Sequence, residues 1–230
     1  MSGRLFLVAT PIGNAEDITL RALRVLKEAD LIVCEEIHDG ERLLKHWTIS
    51  KPLETLNEHN EAAATRAILA VLRSGRTVAL ISDGGTPAFS DPGVDLVRRA
   101  GEAGITVTAV PGASSLMPAL TVSGFALDRF LFYGWLSPKK ERRRAELRAL
   151  VRERRPVVLL ETPYRLMSLL RDLSSAFGER RRLCLAYNLT MPDEHIFRGT
   201  AKGVYDRIST KPLKGEFVIV IEGMQGRGER

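Results

Sequence analysis

The chain has 230 residues, 44% of them hydrophobic and 27% charged, which excludes a disordered protein and allows one large domain or two modest ones. No apolar run reaches the roughly 20 residues needed to span a bilayer, and the opening stretch is broken by Pro11 and Gly13 before it could read as a secretory leader. The net charge is +6, and Pro138–Arg155 alone carries nine Lys/Arg against three Glu, a local +6. That run reads either as the solvated face of a helix or as a footprint for phosphates.

The elements are expected to alternate in chain order. Arg4–Ala9 reads as a strand, Asp17–Ala29 as an amphipathic helix and Asp30–Glu36 as a second strand. Glu61–Gly75 reads as a helix stopped by glycine, followed by a strand from Arg76 to Ser82, a helix from Pro92 to Gly104 and a strand from Ile105 to Val110. This βαβα rhythm predicts a parallel sheet covered by helices. The second half continues with a strand over Arg129–Trp135, the basic helix, and a strand over Pro156–Glu161. A helix ending at Phe177–Gly178 follows, then strands over Arg181–Leu189 and Gly215–Gly223. The expected domains are residues 1–112 and 113–225, with 226–230 as a tail. Cys34 and Cys184, each in an apolar run, read as buried free thiols of a reducing cytoplasm.

Ligand sites in open α/β sheets lie at the carboxyl ends of the strands. Four segments occupy such places: Ala9–Asn14, Ser82–Gly93, Val110–Ser115 and Glu161–Arg165. Three combine Pro with Gly, which lets backbone amides approach a ligand while holding the loop in one shape. Neither a dinucleotide-binding glycine fingerprint nor a phosphate-binding loop is present, and the four histidines and two cysteines fall at no metal-ligand spacing. From residues alone the chain is a two-part α/β protein with a Gly/Pro-walled site for a small polar ligand.

The blocks LFLVATPIGNAEDITLRAL, ALISDGGTPAFSDPG, VPGASSLMPALTVSG and KGEFVIVIEG resemble the tetrapyrrole-methylase superfamily of S-adenosylmethionine enzymes. They are most similar to its branch that methylates the ribose 2′-hydroxyl of a cytidine in bacterial 16S ribosomal RNA, and the likeness runs from Leu5 to about Gly223. The resemblance implies two α/β domains, each a sheet flanked by helices, with S-adenosylmethionine in the cleft between them. It also implies a cytoplasmic homodimer acting on ribosomal RNA or the small ribosomal subunit, with no membrane partner. It implies cofactor contacts at Pro11, Gly13, Asp83, Gly85, Thr86, Pro87, Phe89, Ser114, Ser115, Glu161, Ala186, Asn188, Gly215 and Glu216. Asp83, Glu35, Glu58, Glu61 and Glu161 are the candidates for a base toward a ribose hydroxyl. Lys139, Lys140, Arg142, Arg143 and Arg144 are the candidate RNA contacts.

Some segments depart from the branch's pattern. Cys34-Glu35-Glu36-Ile37-His38 stands where it has Cys-Glu-Asp-Thr-Arg, and Leu160-Glu161-Thr162-Pro163-Tyr164-Arg165 where it has Tyr-Glu-Ser-Pro-His-Arg. Asn188-Leu189-Thr190-Met191 replaces Glu-Leu-Thr-Lys, and the chain ends after the last strand, where many members carry a further segment. Two alternatives stand beside the leading reading: the same fold methylating a tetrapyrrole or other small acceptor, and a catalytically lapsed binding protein.

Overall fold

The computed structural model describes residues 3–210 and 213–224; the expected tail at 226–230 lies outside them. The chain divides into two compact units, Met1–Ser114 and Ser115–Arg230.

In the first unit β1 (Arg4–Val8) leads through a 3-10 turn to α1 (Leu20–Glu28), then β2 (Leu31–Cys34), α2 (Ile37–His46) and β3 (Leu53–Thr55). Next come α3 (Glu61–Arg73), β4 (Thr77–Leu80), α4 (Val94–Glu102) and β5 (Thr106–Val110). The strands lie in the order β3-β2-β4-β1-β5, and every adjacent pair is parallel. Because the sheet is covered on both faces, its inner strands are apolar throughout. In β4, Val78 and Leu80 pack with α3 and α4, while Ala79 and the following Ile81 pack with α1 and α2. The helices after β1 and β4, neighbouring strands, therefore lie on opposite faces. The carboxyl ends of β1 and β4 are the topological switch point, where ligands bind in such sheets.

Helix α1 starts three residues later than its apolar spacing suggests, because the Thr19 hydroxyl accepts the Ala22 amide and caps it there. The residues before it form the separate turn Ala15–Asp17, held by the Asn14 side chain on the Glu16 amide.

The second unit runs α5 (Leu116–Ser123), β6 (Leu131–Trp135), α6 (Lys140–Leu150), β7 (Val157–Leu160), α7 (Leu166–Phe177), β8 (Arg182–Tyr187), β9 (His195–Thr200), α8 (Ala201–Ile208) and β10 (Phe217–Ile221). Its sheet order is β6-β7-β10-β8-β9, and only β6 and β7 run parallel; the other pairs are antiparallel. Helices α6, α7 and α8 share one core cluster with alternate residues of β7, β8 and β10, while α5 packs over β8 and β10. Cys34 and Cys184 are buried free thiols, and burial together with Asp83, Glu36 and Asp39 pushes the Cys34 thiol up to about 12. No described helix is long and apolar enough to cross a membrane.

Candidate functional site

Three of the four loops singled out in the sequence converge at the switch point of the first unit. Thr10, just past β1, and Gly85, past β4, exchange both backbone hydrogen bonds at 2.9 Å in an isolated bridge. Two buried hydroxyls reinforce it: Thr10 Oγ1 donates to the Ser82 carbonyl, and Ser82 Oγ to the Gly85 carbonyl. A Cβ on Gly85 would lie 3.5 Å from Ile12 Cγ2 and 3.9 Å from Ser114 Cα, so the loop after β5 closes on the same point. Gly112 binds that third loop against β1, where a Cβ would meet Ala9 Cβ at 3.1 Å. Pro11, Gly13, Asp83, Thr86, Pro87, Phe89 and Ser114 all lie on these three clasped loops.

The segment after β4 is held in an unusual shape. Gly85, Ala88, Ser90 and Gly93 take φ of +93°, +59°, +63° and +114°. Two of these are not glycine, and such residues persist in the left-handed region where surrounding structure overdetermines them, often around a ligand. Glu61 supplies part of that constraint, since its Oε1 accepts the amide of Gly93 at the start of α4. That contact makes Glu61 a cap for α4, not a free base.

Carboxylates crowd the ends of β2 and β4. Asp83 Oδ1 accepts the Glu36 amide, which partly offsets the upward shift that loss of water imposes on it. Glu35 is half-buried and raised to about 7, first by burial and then by Asp83, Asp91, Glu36 and Glu58. Asp91 is raised to about 6 by burial and by Asp83. Asp91 was missed in the sequence, although it opens the same Asp-Pro-Gly that precedes α4. Glu58 is exposed and lies 3.6 Å from the His59 imidazole. An arrangement this rich in acceptors and carboxylates suits a cationic ligand. Among the described residues no group of three or more His, Cys, Asp or Glu could hold a metal ion.

In the second unit the candidates fall into two groups. Asn188, in a left-handed conformation just past β8, donates its amide to the Glu216 carbonyl and Nδ2 to Asp193 Oδ2 at 2.9 Å. Asp193 demands a donor, which fixes the amide orientation and leaves the buried Oδ1 with no partner. Gly215 covers that oxygen so closely that a Cβ would lie 1.9 Å from it. Ser115 is the N-terminal cap residue of α5, with its carbonyl accepting the Ala119 amide.

Glu161 corrects an expectation. Its side chain is fully buried, and both carboxylate oxygens accept from Arg165, with the Thr162 amide adding a third donor. It is an ion-pair anchor and presents neither a base nor a contact surface. Ala186 is likewise fully buried within β8.

The basic helix divides in the same way. Lys139, Lys140 and Arg142 are exposed. Arg143 is 6% exposed, so it is not an RNA-facing cation: it donates to Asp172 on α7 at 2.9–3.0 Å and to the carbonyls of Ser137 and Pro138. Arg144, half-exposed, takes the other Asp172 oxygen at 3.2 Å. The helical repeat turns Arg143 to the face of Leu147 and Leu150, where a buried carboxylate meets it. Nothing in the run of arginines marks which one turns inward; Asp172, a carboxylate among the leucines of the buried face of α7, was the available signal.

A doubly wound parallel sheet with clasped Gly/Pro loops at its switch point, and a second unit with a mixed sheet and a core of its own, define a two-unit α/β protein whose first unit carries the candidate small-ligand site. The model of the Tetrapyrrole (Corrin/Porphyrin) Methylases matches residues 4–204, and the chain belongs to that family. A ribosomal RNA small subunit methyltransferase I from a Synechocystis species is 43% identical over 96% of this chain and 79% of its own. The protein of the same name from Thermotoga maritima is 41% identical over 97% of this chain and 100% of its own. The crystal structure of uroporphyrin-III C-methyltransferase from Thermus thermophilus, complexed with S-adenyl homocysteine, shares the fold with a TM-score of 0.67. It is 21% identical and covers 96% of this chain and 97% of its own.

Proposed function

We propose that the chain is an S-adenosylmethionine-dependent methyltransferase that modifies a cytidine ribose 2′-hydroxyl in 16S ribosomal RNA. The observation that carries this reading is identity of about 40% along nearly the whole chain with relatives named ribosomal RNA small subunit methyltransferase I. In this reading it acts in the cytoplasm, as a homodimer, on ribosomal RNA or the small subunit.

The cofactor fits the residues present. The clasped loops offer backbone rather than side chains around Gly85, and the carboxylates at Asp83 and Asp91 suit the ammonium and sulfonium of S-adenosylmethionine. Pro11, Gly13, Gly85, Thr86, Pro87, Phe89 and Ser114 are the proposed contacts in the first unit. Ser115, Asn188, Gly215 and Glu216 are those in the second. When bound, the cofactor supplies a methyl group already activated on sulfur, so the protein's task is to hold the acceptor oxygen in line and accept its proton.

Of the base candidates, Glu161 is held by Arg165, Glu61 by the Gly93 amide and Asp83 by the Glu36 amide, while Glu58 is exposed. Glu35 stands at the end of β2, half-buried and raised to about 7, the range in which a carboxylate accepts a proton best near neutrality. Glu35 is the proposed proton acceptor.

The test is transfer of labelled methyl from S-adenosylmethionine to 30S subunits lacking the endogenous modification, with the modified nucleotide mapped. Label on a cytidine ribose is expected. Cofactor binding without label in RNA would overturn the acceptor assignment and leave the family assignment standing.

A further inference from the structure

Strand β6 ends in a bulge. Its pairing with β7 runs Leu131 to Val157 and Phe132 to Val158, passes over Tyr133, and resumes with Gly134 to Leu159 and Trp135 to Leu160. Paired residues point to the same face of a sheet, so one residue passed over reverses the facing of everything after it. In an unbroken register Trp135 would share the face of Val157 and Leu159, which pack into the core of the second unit. The bulge moves it to the opposite face, where it is 48% exposed. Gly134 takes φ +76°, a conformation open to glycine without strain.

The neighbouring strand presents a second aromatic at the same end. Tyr164 lies in the turn Pro163–Arg165 that follows β7 and is 98% exposed. That turn is fixed: Arg165 holds the buried Glu161 and also donates at 3.3 Å to the carbonyl of Leu136, the residue after Trp135. One arginine, paired with Glu161 and bonded to that carbonyl, thus ties the Tyr164 turn to the backbone beside Trp135. The chain then passes directly to the exposed Lys139, Lys140 and Arg142, interrupted only by Glu141.

We infer that Trp135 and Tyr164 are a stacking platform for unpaired bases of the RNA substrate, with Lys139, Lys140 and Arg142 beside them on the phosphates. The inference rests on the RNA reading above. Aromatic faces next to a line of cations are the combination by which proteins hold single strands, since every base has a π face and every linkage a charge. A protein partner fits these surroundings less well, because desolvated protein interfaces are depleted in lysine. Glu161 and Arg165 are positioning residues for the platform.

The test titrates a single-stranded oligoribonucleotide spanning the modified site and follows methyl transfer to 30S subunits with the same preparations. Base stacking on Trp135 quenches its emission in the wild-type chain. Trp135→Phe loses that quenching, leaving Trp47 as emitter, yet keeps its affinity because the phenyl ring still stacks. Trp135→Ala and Tyr164→Ala each weaken RNA binding about 5- to 150-fold, with an unchanged salt slope and unchanged cofactor affinity. Reversing Lys139, Lys140 and Arg142 together flattens the slope by about 2 units. Wild-type RNA binding that the alanine variants leave intact overturns the platform alone. Emission that follows protein concentration in place of RNA also overturns it and assigns the patch to contact between copies. Failure of the wild-type chain to bind or methylate any RNA overturns the acceptor assignment, and the platform with it.

Discussion

Gly85 is where the loops of the first unit depend on a single residue. Its φ of +93° excludes a β-branched side chain without strain of about 1–3 kcal/mol, and its amide and carbonyl both serve the bridge to Thr10. Gly85→Val is expected to lower stability by about that amount and to abolish S-adenosylmethionine binding, measured by urea unfolding and calorimetric titration. Retained cofactor affinity would remove the loop from the cofactor site. Glu35 carries a pH signature of its own. Its carboxyl is raised to about 7 in the folded chain, so the folded state holds the proton more tightly than the unfolded one. Its contribution to stability is therefore full below the unfolded value and is lost as pH rises toward about 7. Glu35→Gln removes that loss: stability measured between pH 5 and 8 should fall less steeply with rising pH than in the wild-type chain. The same variant should lower kcat with little change in cofactor affinity; an unchanged kcat would transfer the base role to another group. The loops and glycines were legible in the sequence because Pro and Gly announce constrained backbone. The clasp was not, because Thr10 and Ser82 look like ordinary hydroxyl residues until the fold brings their partners 72 and 3 positions away.

Helix α6 shows how one element holds two kinds of arginine. Asp172, 6% exposed, receives Arg143 and Arg144 and fixes the helix on α7. Asp172→Ala strands the buried Arg143 guanidinium and is expected to destabilise the protein by about 3 kcal/mol in urea unfolding, the scale for breaking a buried pair. The double variant Arg143→Met/Asp172→Leu should recover most of that loss. Arg142→Glu, on the exposed face, should leave stability within about 0.5 kcal/mol while weakening RNA binding. Equal destabilisation by Arg142→Glu would contradict the division. Elements the sequence did not yield share a physical cause. Helix α2 carries Gly40 at its centre, which reads as a breaker; the structure requires it, because a Cβ there would lie 2.8 Å from Cys34 Sγ. Strand β3 has only three residues, and β9, at a sheet edge, has no fully buried residue and two exposed ones, so neither shows the apolar run that identified β4 or β10. Helix α8 is eight residues long and includes Gly203, whose amide the Thr200 cap requires.

The two units differ in how their sheets close. The first was legible as a parallel sheet because its helices and strands alternate and each inner strand is apolar on both faces. The second continues the alternation in sequence, yet only β6 and β7 run parallel, and β10 inserts between β7 and β8 after β9 has formed the far edge. Strand order of this kind is set by long-range packing, which periodicity does not encode. Its consequence is that the last described strand, with all five residues buried, is the central one of the second sheet. A chain ending at Ser209 would leave β7 and β8 without their shared partner, and the core formed by Phe217, Ile219 and Ile221 without its middle. Every strand of the first unit, by contrast, lies before residue 114, with its own two core clusters. The truncated chain is therefore expected to lose the second unit and keep the first. Limited proteolysis should leave a resistant fragment ending near Ser114, with amide exchange protected in β1, β2 and β4 and lost in β7 and β8. Exchange protection lost throughout would mean that the first sheet cannot stand without the second. Retained protection in β7 and β8 would mean that β10 contributes less than its central position implies.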